Sequence, residues 1–340
     1  MSIGDGAEVA LNSYIAYGKE TTYGTYVSAT SAIEALSCTF RTDRDSLLLE
    51  SFGTGTRDFT KRVQTDKKVG GTLEQYAHPQ ESVLLLAAAL GGPVTTSSLT
   101  SAATHSLSAG NFNTSTAILG LSFNVRKGSN TNHVWQYSGG KINSLVISAE
   151  VGQPVKLSAE FIFKDSTQGT NDLSASLSIT SVTPFVYHQG TYKYSDTEAN
   201  AATTTAEERI QSFELTINNN LEEGRELGSE VLRVLPAKRR SVELTVTQRW
   251  DTLTTYNRFI QNTQGAVELL FTGQSISAEH NHQMTIRMPK VFVKAADPEI
   301  AGADELLSHE ITYDIVNDDP NTTTGKAIGI TIINDNQSGY

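Results

Sequence analysis

The 340-residue sequence has only one cysteine, Cys38, which excludes a disulfide framework and a cysteine-based zinc cluster. It also lacks any apolar run near the roughly 18 residues that a membrane-spanning helix needs; the longest extends only from Val83 to Leu90. The N-terminus, Met1 to Asp5, has neither the basic region nor the apolar region of a secretory signal. These absences predict a soluble protein made in a reducing cytoplasm.

Positive charge is scarce as well. The chain carries 26 Lys and Arg against 37 Asp and Glu, a net charge of −11. Residues 1–170 hold 13 basic and 14 acidic side chains (−1), and residues 171–340 hold 13 and 23 (−10). Such a chain does not grip a phosphate backbone through counterion-releasing Lys and Arg contacts, which disfavours a DNA-wrapping protein. A surface that faces DNA across a gap and repels it remains compatible with this charge.

Alternation of apolar and polar residues predicts strands in both halves of the chain. The pattern covers residues 36–40, 119–125, 145–147, 161–163, 213–217, 242–246, 291–293 and 311–315. Helices are predicted at only two places: from Pro79 to Leu90, and after Asp251 as far as Gly265. The sequence therefore predicts a mainly β protein.

The order of these elements repeats weakly. Residues 36–40 align with 213–217 at an offset of 177, and residues 69–73 align with 242–246 at an offset of 173. Strand, long loop, strand, helix and closing hairpin recur in the same order, which is typical of an internal duplication. We predict two tandem β-sandwich or barrel domains, each with one flanking helix and a long protruding loop. The predicted boundaries are an N-terminal arm (1–30), a first domain (31–168), a linker (169–208) and a second domain (209–340).

Motifs that carry chemistry are few. Cys38 falls within a strand pattern and fits an apolar core position better than a nucleophile. His280-x-His282 has no third ligand at convincing spacing, so an exposed strand edge is favoured over a metal site. No phosphate loop, nucleophile elbow or zinc-protease motif occurs. The sequence predicts no catalysis, no metal and no cofactor.

Two long segments between strands stand out: arm 1 (residues 46–68) and arm 2 (residues 218–241). Both are too long and too apolar for idle loops, and both mix apolar with basic side chains, as protein contact surfaces do. The predicted contact residues are Leu48, Phe52, Arg57, Phe59, Lys61, Arg62, Leu221, Arg225, Leu232, Arg233, Arg239 and Arg240. The alternative is an ordinary hairpin packed on its own domain.

The segment Tyr17-Gly18-Lys19-Glu20-Thr21-Thr22-Tyr23-Gly24-Thr25 resembles the start of many tail tube proteins of siphophages, the phages with long non-contractile tails. The stretch Val69 to Glu74, which leads to a helix ending at Ala89-Leu90-Gly91, is similar to the same family. So is the block from Ile217 to Thr245. Together these matches touch most of the chain.

The resemblance implies a β-sandwich flanked by a helix. Six such units close into a ring whose inner sheets form a continuous β-barrel, long loops reach the next ring, and stacked rings form the channel for genomic DNA. In members with two tube domains in one chain, three chains form a pseudo-hexameric ring, and the repeat favours that homotrimer over a homohexamer. For this chain it implies inter-ring contact by the two arms, and the acidic charge predicts an acidic lumen.

The resemblance also implies the partners. They are further copies of the chain, the tape measure protein, the tail terminator and distal tail proteins, and double-stranded DNA that passes without specific binding; no membrane is involved. The expected location is the virion tail, after synthesis in the bacterial cytoplasm.

Three alternatives stay open. A two-domain β-sandwich adhesin or carbohydrate-binding surface protein would need a signal or anchor. A carbohydrate-active enzyme would need aromatic residues beside paired carboxylates, whereas Trp135 and Trp250 lie far apart in the sequence. Another tail component with the same fold is also compatible with the sequence.

Overall fold

The computed structural model describes residues 8–50, 57–110, 120–177, 179, 182–207, 209–296, 307–318, 326–338 and 340. The chain is mainly β and consists of two tandem β-sandwich units, as the sequence predicted, and each unit has one flanking α-helix of eight or nine residues. No helix within these ranges is long and apolar enough to cross a bilayer.

The elements follow one another along the chain with these bounds. The first unit has β1 (Tyr14–Lys19), β2 (Ser31–Ile33), β3 (Ala35–Cys38), β4 (Arg41–Leu49), β5 (Lys61–Tyr76), α1 (Ser82–Leu90), β6 (Val94–Leu99), β7 (Ala102–Ser108), β8 (Leu121–Arg126), β9 (Val134–Glu150), β10 (Lys156–Phe163) and β11 (Asp165–Gly169). The second has β12 (Gly190–Ser195), α2 (Glu198–Ala201), β13 (Ile210–Asn218), β14 (Ser241–Arg249), α3 (Thr254–Gln261), β15 (Gln264–Ser275), β16 (Asn281–Ala295), β17 (Ser308–Ile315) and β18 (Gly329–Asn334). Short 3-10 helices occupy Ala10–Asn12 and Tyr187–Gln189.

Each unit contains two sheets that share one long strand. In the first unit, the second half of β9 pairs with β10, β10 pairs with β5, and β5 pairs with β3 and β4. We call these strands the inner sheet. The first half of β9 pairs with β8 and β11, β8 pairs with β1, and β1 pairs with β2. We call these strands the outer sheet. Between the sheets, the Phe40 ring lies 4.8 to 5.5 Å from the rings of four other aromatic residues: Phe123, Tyr137, Phe161 and Phe163. Burial of these rings joins the two sheets into one core.

The second unit repeats this plan with β16 as the shared strand. Its inner sheet is β13, β14, β17 and the second half of β16, and its outer sheet is β12, β15, the first half of β16 and β18. The hairpin β6–β7, which follows α1 of the first unit, pairs with β18 and extends this outer sheet. The second unit has no matching hairpin, because β15 begins at Gln264, directly after α3. The first unit thus contributes a hairpin to the outer sheet of the second unit.

The inner sheets of the two units merge into a single sheet. Strand β9 pairs with β13 from Ser144 opposite Asn218 to Glu150 opposite Ser212. The result is a continuous antiparallel sheet of eight strands in the order β4, β5, β10, β9, β13, β14, β17, β16. One row of buried side chains crosses both units without interruption: Leu157, Ile147, Leu215, Leu244 and Tyr313.

The pairings also fix the register of the repeat. Leu73 lies opposite Ala159 in the first unit, as Val246 lies opposite Ile311 in the second, which confirms the offset of 173 for β5 and β14. The predicted offset of 177 for the preceding strand is wrong by two residues. Each copy of that strand has a bulge next to its first pair, and matching the bulges gives an offset of 175.

Two segments differ from the expected plan. Residues 14–19, inside the predicted N-terminal arm, form β1 at the centre of the outer sheet between β2 and β8. Within the predicted linker, whose sequence also predicts a short strand pair, residues 190–195 form β12 beside β15. Helix α3 begins at Thr254 rather than after Asp251, because the Asp251 carboxylate is paired with Arg209.

The side chain of Glu20 organises the turn within the Tyr17–Thr25 segment. The Glu20 carboxylate is 2% exposed and accepts hydrogen bonds from Gly24 N, Ser122 Oγ and Gly139 N, each at 2.7 Å. Gly24 has a φ of +72° and Gly139 a φ of +68°, a backbone conformation that favours glycine. The buried carboxylate therefore holds the turn at 20–24 against the outer sheet.

We expect Glu20→Ala to lower the free energy of unfolding by about 3 kcal/mol, because it leaves buried donors without an acceptor. Urea unfolding of the monomer measures this. The matched control is Glu8→Ala: the Glu8 carboxylate also accepts two bonds, from Ser129 N and Oγ, but is exposed to solvent. Equal losses for the two variants would show that the Glu20 bonds add nothing beyond a surface turn.

Candidate assembly interface

The polar face of the eight-stranded sheet lies opposite the buried rows. A typical row of directly paired residues on this face runs Ser158, Val146, Thr216, Glu243 and Asp314. The face forms an open hollow to which both units contribute side chains. Hydroxyl and carboxylate groups of both units line this hollow, and we call the polar face that contains it the concave face.

Acidic side chains outnumber basic ones on this concave face. Its carboxylates are Asp43, Glu74, Glu150, Glu160, Glu214, Glu243, Glu310 and Asp314, and its basic residues are Arg41, Lys68, Lys156, Arg249 and Lys294. Three of the basic groups are already paired within the face: Arg41 Nε lies 2.9 Å from Asp43, Lys156 Nζ lies 3.1 Å from Glu74, and Lys294 Nζ lies 2.7 Å from Glu243. The concave face carries net negative charge.

Both edges of this sheet are open. Residues 41–44 of β4 pair only with β5, and residues 293–295 at the end of β16 face only β17; within the described ranges no strand pairs with their outer sides. An open edge presents unpaired N–H and C=O groups, which is a template for another chain.

Arm 1 is an extended hairpin formed by β4 and β5 beyond the sandwich. Leu47 lies opposite Val63 on one face of the hairpin, and these side chains are 57% and 45% exposed. Leu48 lies opposite Arg62 on the reverse face. The described part of arm 1 therefore does not bury its apolar side chains on its own unit.

The predicted contact residues of arm 1 are placed accordingly. Leu48, Arg57, Phe59, Lys61 and Arg62 are all exposed. Phe52 lies outside the described residues.

Arm 2 instead folds back onto the base of arm 1. Leu232 and Leu235 are each 1% exposed. Lys67 N donates to Glu230 O at 3.0 Å, and the Arg225 guanidinium donates to Lys67 O at 3.3 Å. Among the predicted contact residues of arm 2, Leu232 is thus buried, Arg225 and Arg240 are engaged within the chain, Leu221 is half-buried, and Arg233 and Arg239 are exposed.

The return of arm 2 forms the polar junction between the units. Arg240 donates to Leu90 O (2.7 Å) and Gly110 O (3.2 Å), and its Nε donates to Asn219 Oδ1 (3.2 Å). Asn219 Nδ2 in turn donates to Ala89 O at 2.9 Å. Two side chains of the second unit therefore satisfy the last carbonyls of α1 in the first, groups that a helix leaves unpaired.

The residues considered for chemistry have structural surroundings. Cys38 is half-buried on β3, burial raises the pKa of its thiol, and the corrected repeat matches it to Phe213 rather than Leu215. His282 is buried, not on an exposed edge as predicted, because its side chain points between the sheets of β16, and burial lowers its pKa. Across the described parts of the chain, no group of three or more His, Cys, Asp or Glu side chains is arranged to hold a metal.

Comparison with known proteins agrees with this geometry. A family model described as phage tail tube protein matches residues 10–315. No curated protein sequence matches the chain. The family match spans β1 to β17, and so covers both units rather than one.

Proposed function

This chain belongs to the phage tail tube protein family, and we propose that it is the subunit of the tube of a long, non-contractile phage tail. Family membership makes it a structural, self-assembling component of the virion tail. In our proposal the chains close into rings, the rings stack into a tube, and genomic DNA passes through the lumen. The observation that carries this proposal is the continuous eight-stranded sheet with two open edges and a concave acidic face.

The size of the sheet supports a ring of three chains. Three chains of eight strands give 24, and at a spacing of about 4.8 Å and a tilt near 45° such a barrel has a backbone diameter of roughly 50 Å. Two chains would give 16 strands and roughly 35 Å, the size class of porins. Side chains fill part of the interior of either barrel. The 24-stranded barrel then leaves a wide channel and the 16-stranded barrel does not.

The acidic face supports a lumen through which DNA slides without sticking. Like charges repel the phosphate backbone, and on the described face Arg41, Lys68, Lys156 and Lys294 are each paired with a carboxylate.

We expect Glu214→Lys with Glu310→Lys to convert this lumen into a DNA-retaining surface. Three chains would then present six new lysines to the duplex. We expect tubes assembled from this variant to bind DNA with an affinity that falls roughly 1000-fold between about 50 and 200 mM salt. Tubes of the unmodified protein are expected to retain no DNA. The control, Glu198→Lys with Glu279→Lys, makes the same charge change at exposed positions off the concave face. DNA retention equal to that of the control would contradict an acidic lumen.

In our proposal, arm 1 contacts the next ring through its exposed apolar residues Leu47, Leu48, Phe59 and Val63, together with the exposed Arg233 and Arg239 of arm 2. The bound ends of the tube would meet the tape measure, terminator and distal tail proteins. Apolar burial, rather than exposed ion pairs worth about 0–1 kcal/mol each, would supply most of the contact energy.

Negative-stain electron microscopy of the purified protein at increasing concentration tests the proposal. Three-lobed rings with a central hole, or tubes, are expected. Compact monomers that persist at high concentration, and also after addition of a purified tail-tip complex as initiator, would overturn it.

A further inference from the structure

We propose that the junction between the two units inside one chain is the template for the junction between neighbouring chains. In this junction, residues 293–296 of one copy pair with residues 41–44 of the next copy. This inference rests on the proposed ring and deepens it, because it names the pairing surface and its register.

The first step is a residue-level match between β9 and β16. In the first unit, Glu160 lies opposite Ser144 and Phe161 opposite Ile142, so that Asn143 is an extra, bulged residue. In the second unit, Thr312 lies opposite Ala295 and Tyr313 opposite Val293, so that Lys294 is the bulged residue. The two bulges coincide at an offset of 151, which makes Ala295 the counterpart of Ser144 and Ala296 the counterpart of Leu145.

The second step transfers the observed pairing. Inside the chain, Ser144 lies opposite Asn218 and Leu145 opposite Ile217. With the offset of 175, Asn218 corresponds to Asp43 and Ile217 to Thr42. The template therefore places Ala295 of one copy opposite Asp43 of the next, and Ala296 opposite Thr42.

Burial at the two places supports the transfer. Ile217 is 0% exposed because the first unit of its own chain covers it, whereas its counterpart Thr42 is exposed. Thr42 lies on an open edge. Its proposed partner Ala296 is buried in its own chain, as is the counterpart Leu145, and Ala295 on the neighbouring rung is exposed at the opposite open edge.

Helix α3 supplies a further match. In the chain, Asn219 donates to the carbonyl of Ala89 at the end of α1. The left-handed residues that end the two helices, Gly91 and Asn262, align with each other, so the counterparts of Asn219 and Ala89 are Arg44 of the next copy and Ile260 of α3. An arginine is a favourable partner for the carbonyls at a helix C-terminus.

Disulfide trapping tests the register in a Cys38→Ser background. Asn219 N donates to Asn143 O, so Ser144 and Asn218 form a non-hydrogen-bonded pair, and its counterpart should have a Cα separation of about 4.5 Å. Ala295→Cys with Asp43→Cys is expected to give a covalent trimer on a non-reducing gel, and reductant should return it to monomer. Ala296→Cys with Thr42→Cys, on the next rung, provides a second pair at about 5.5 Å.

The matched control is Ala295→Cys with Arg41→Cys, which is two residues out of register on the same strand. It should cross-link at least tenfold less than either in-register pair. Rings that form without in-register cross-links, or that cross-link best through the control pair, would overturn this inference and leave the proposed function standing. Absence of any ring from the unmodified protein, also in the presence of the tail-tip initiator, would instead overturn the proposed function.

Discussion

Replacing Leu47 and Val63 by aspartate is expected to prevent tube formation while the monomer keeps its fold. These two side chains lie opposite each other on arm 1 and are 57% and 45% exposed. Burying the exposed half of each in a ring-to-ring contact is worth roughly 2–3 kcal/mol per chain, or roughly a 30- to 150-fold change in the association constant. Burial of two carboxylates in that contact adds a further penalty. We therefore expect the critical concentration for tubes to rise by at least about 100-fold.

Light scattering against protein concentration measures the critical concentration, and thermal unfolding of the monomer checks the fold. Leu48→Asp compares the two faces of the hairpin: Leu48, itself one of the predicted contact residues, is next in sequence and 49% exposed, but lies on the reverse face opposite Arg62. Its effect is expected to be smaller, because the neighbouring guanidinium already keeps that face hydrated. Tubes at the unmodified critical concentration with the Leu47 and Val63 variant would remove arm 1 as the apolar contact between rings.

Local periodicity was sufficient to predict much of this fold. Alternation along residues 213–217 and 242–246 reports that one face of each strand is buried, which is a property of the strand itself. The helix at 82–90 follows from an apolar run bounded by proline and glycine. Element order then gave the duplication, because both copies solve the same packing problem with the same sequence of elements.

What alternation does not encode is the identity of the partner strand. Nothing local in β6 or β7 indicates that the hairpin pairs with β18, more than 200 residues further along the chain. The two-residue error in the repeat offset has a similar origin, because a bulge inserts a residue without breaking the apolar pattern.

The two arms show the same limit at the candidate interface. Both mix apolar and basic residues, yet Leu47 is exposed on arm 1 and Leu232 is buried on arm 2. The difference arises from the base of arm 1, which offers arm 2 a surface and backbone groups to bond, such as Lys67 N. A composition signal identifies such segments as contact surface but does not distinguish contact within the chain from contact between chains.

The polar junction between the units should be a second point of large effect. Arg240→Ala is expected to lower the free energy of unfolding by about 3 kcal/mol, because Leu90 O, Gly110 O and Asn219 Oδ1 each lose a charged donor in a half-buried site. Arg240→Lys should recover only part of this loss, since one ammonium group cannot reproduce the planar fork that reaches three acceptors.

Arg239→Ala is the control for this second prediction, because Arg239 is adjacent in sequence, carries the same charge and has an exposed side chain. It should change the unfolding free energy by less than about 0.5 kcal/mol. Because Arg240 joins α1 of the first unit to β14 of the second, its loss should also separate the unfolding of the two units, which intrinsic Trp fluorescence can follow through Trp135 in the first and Trp250 in the second. The alternative outcome is that the two alanine substitutions destabilise the protein equally and that each variant unfolds in a single transition. The hairpin β6–β7 and the β9–β13 pairing alone would then hold the units together. In that case the same polar bonds would not be needed where one chain meets the next, and the ring would depend on strand pairing and apolar burial.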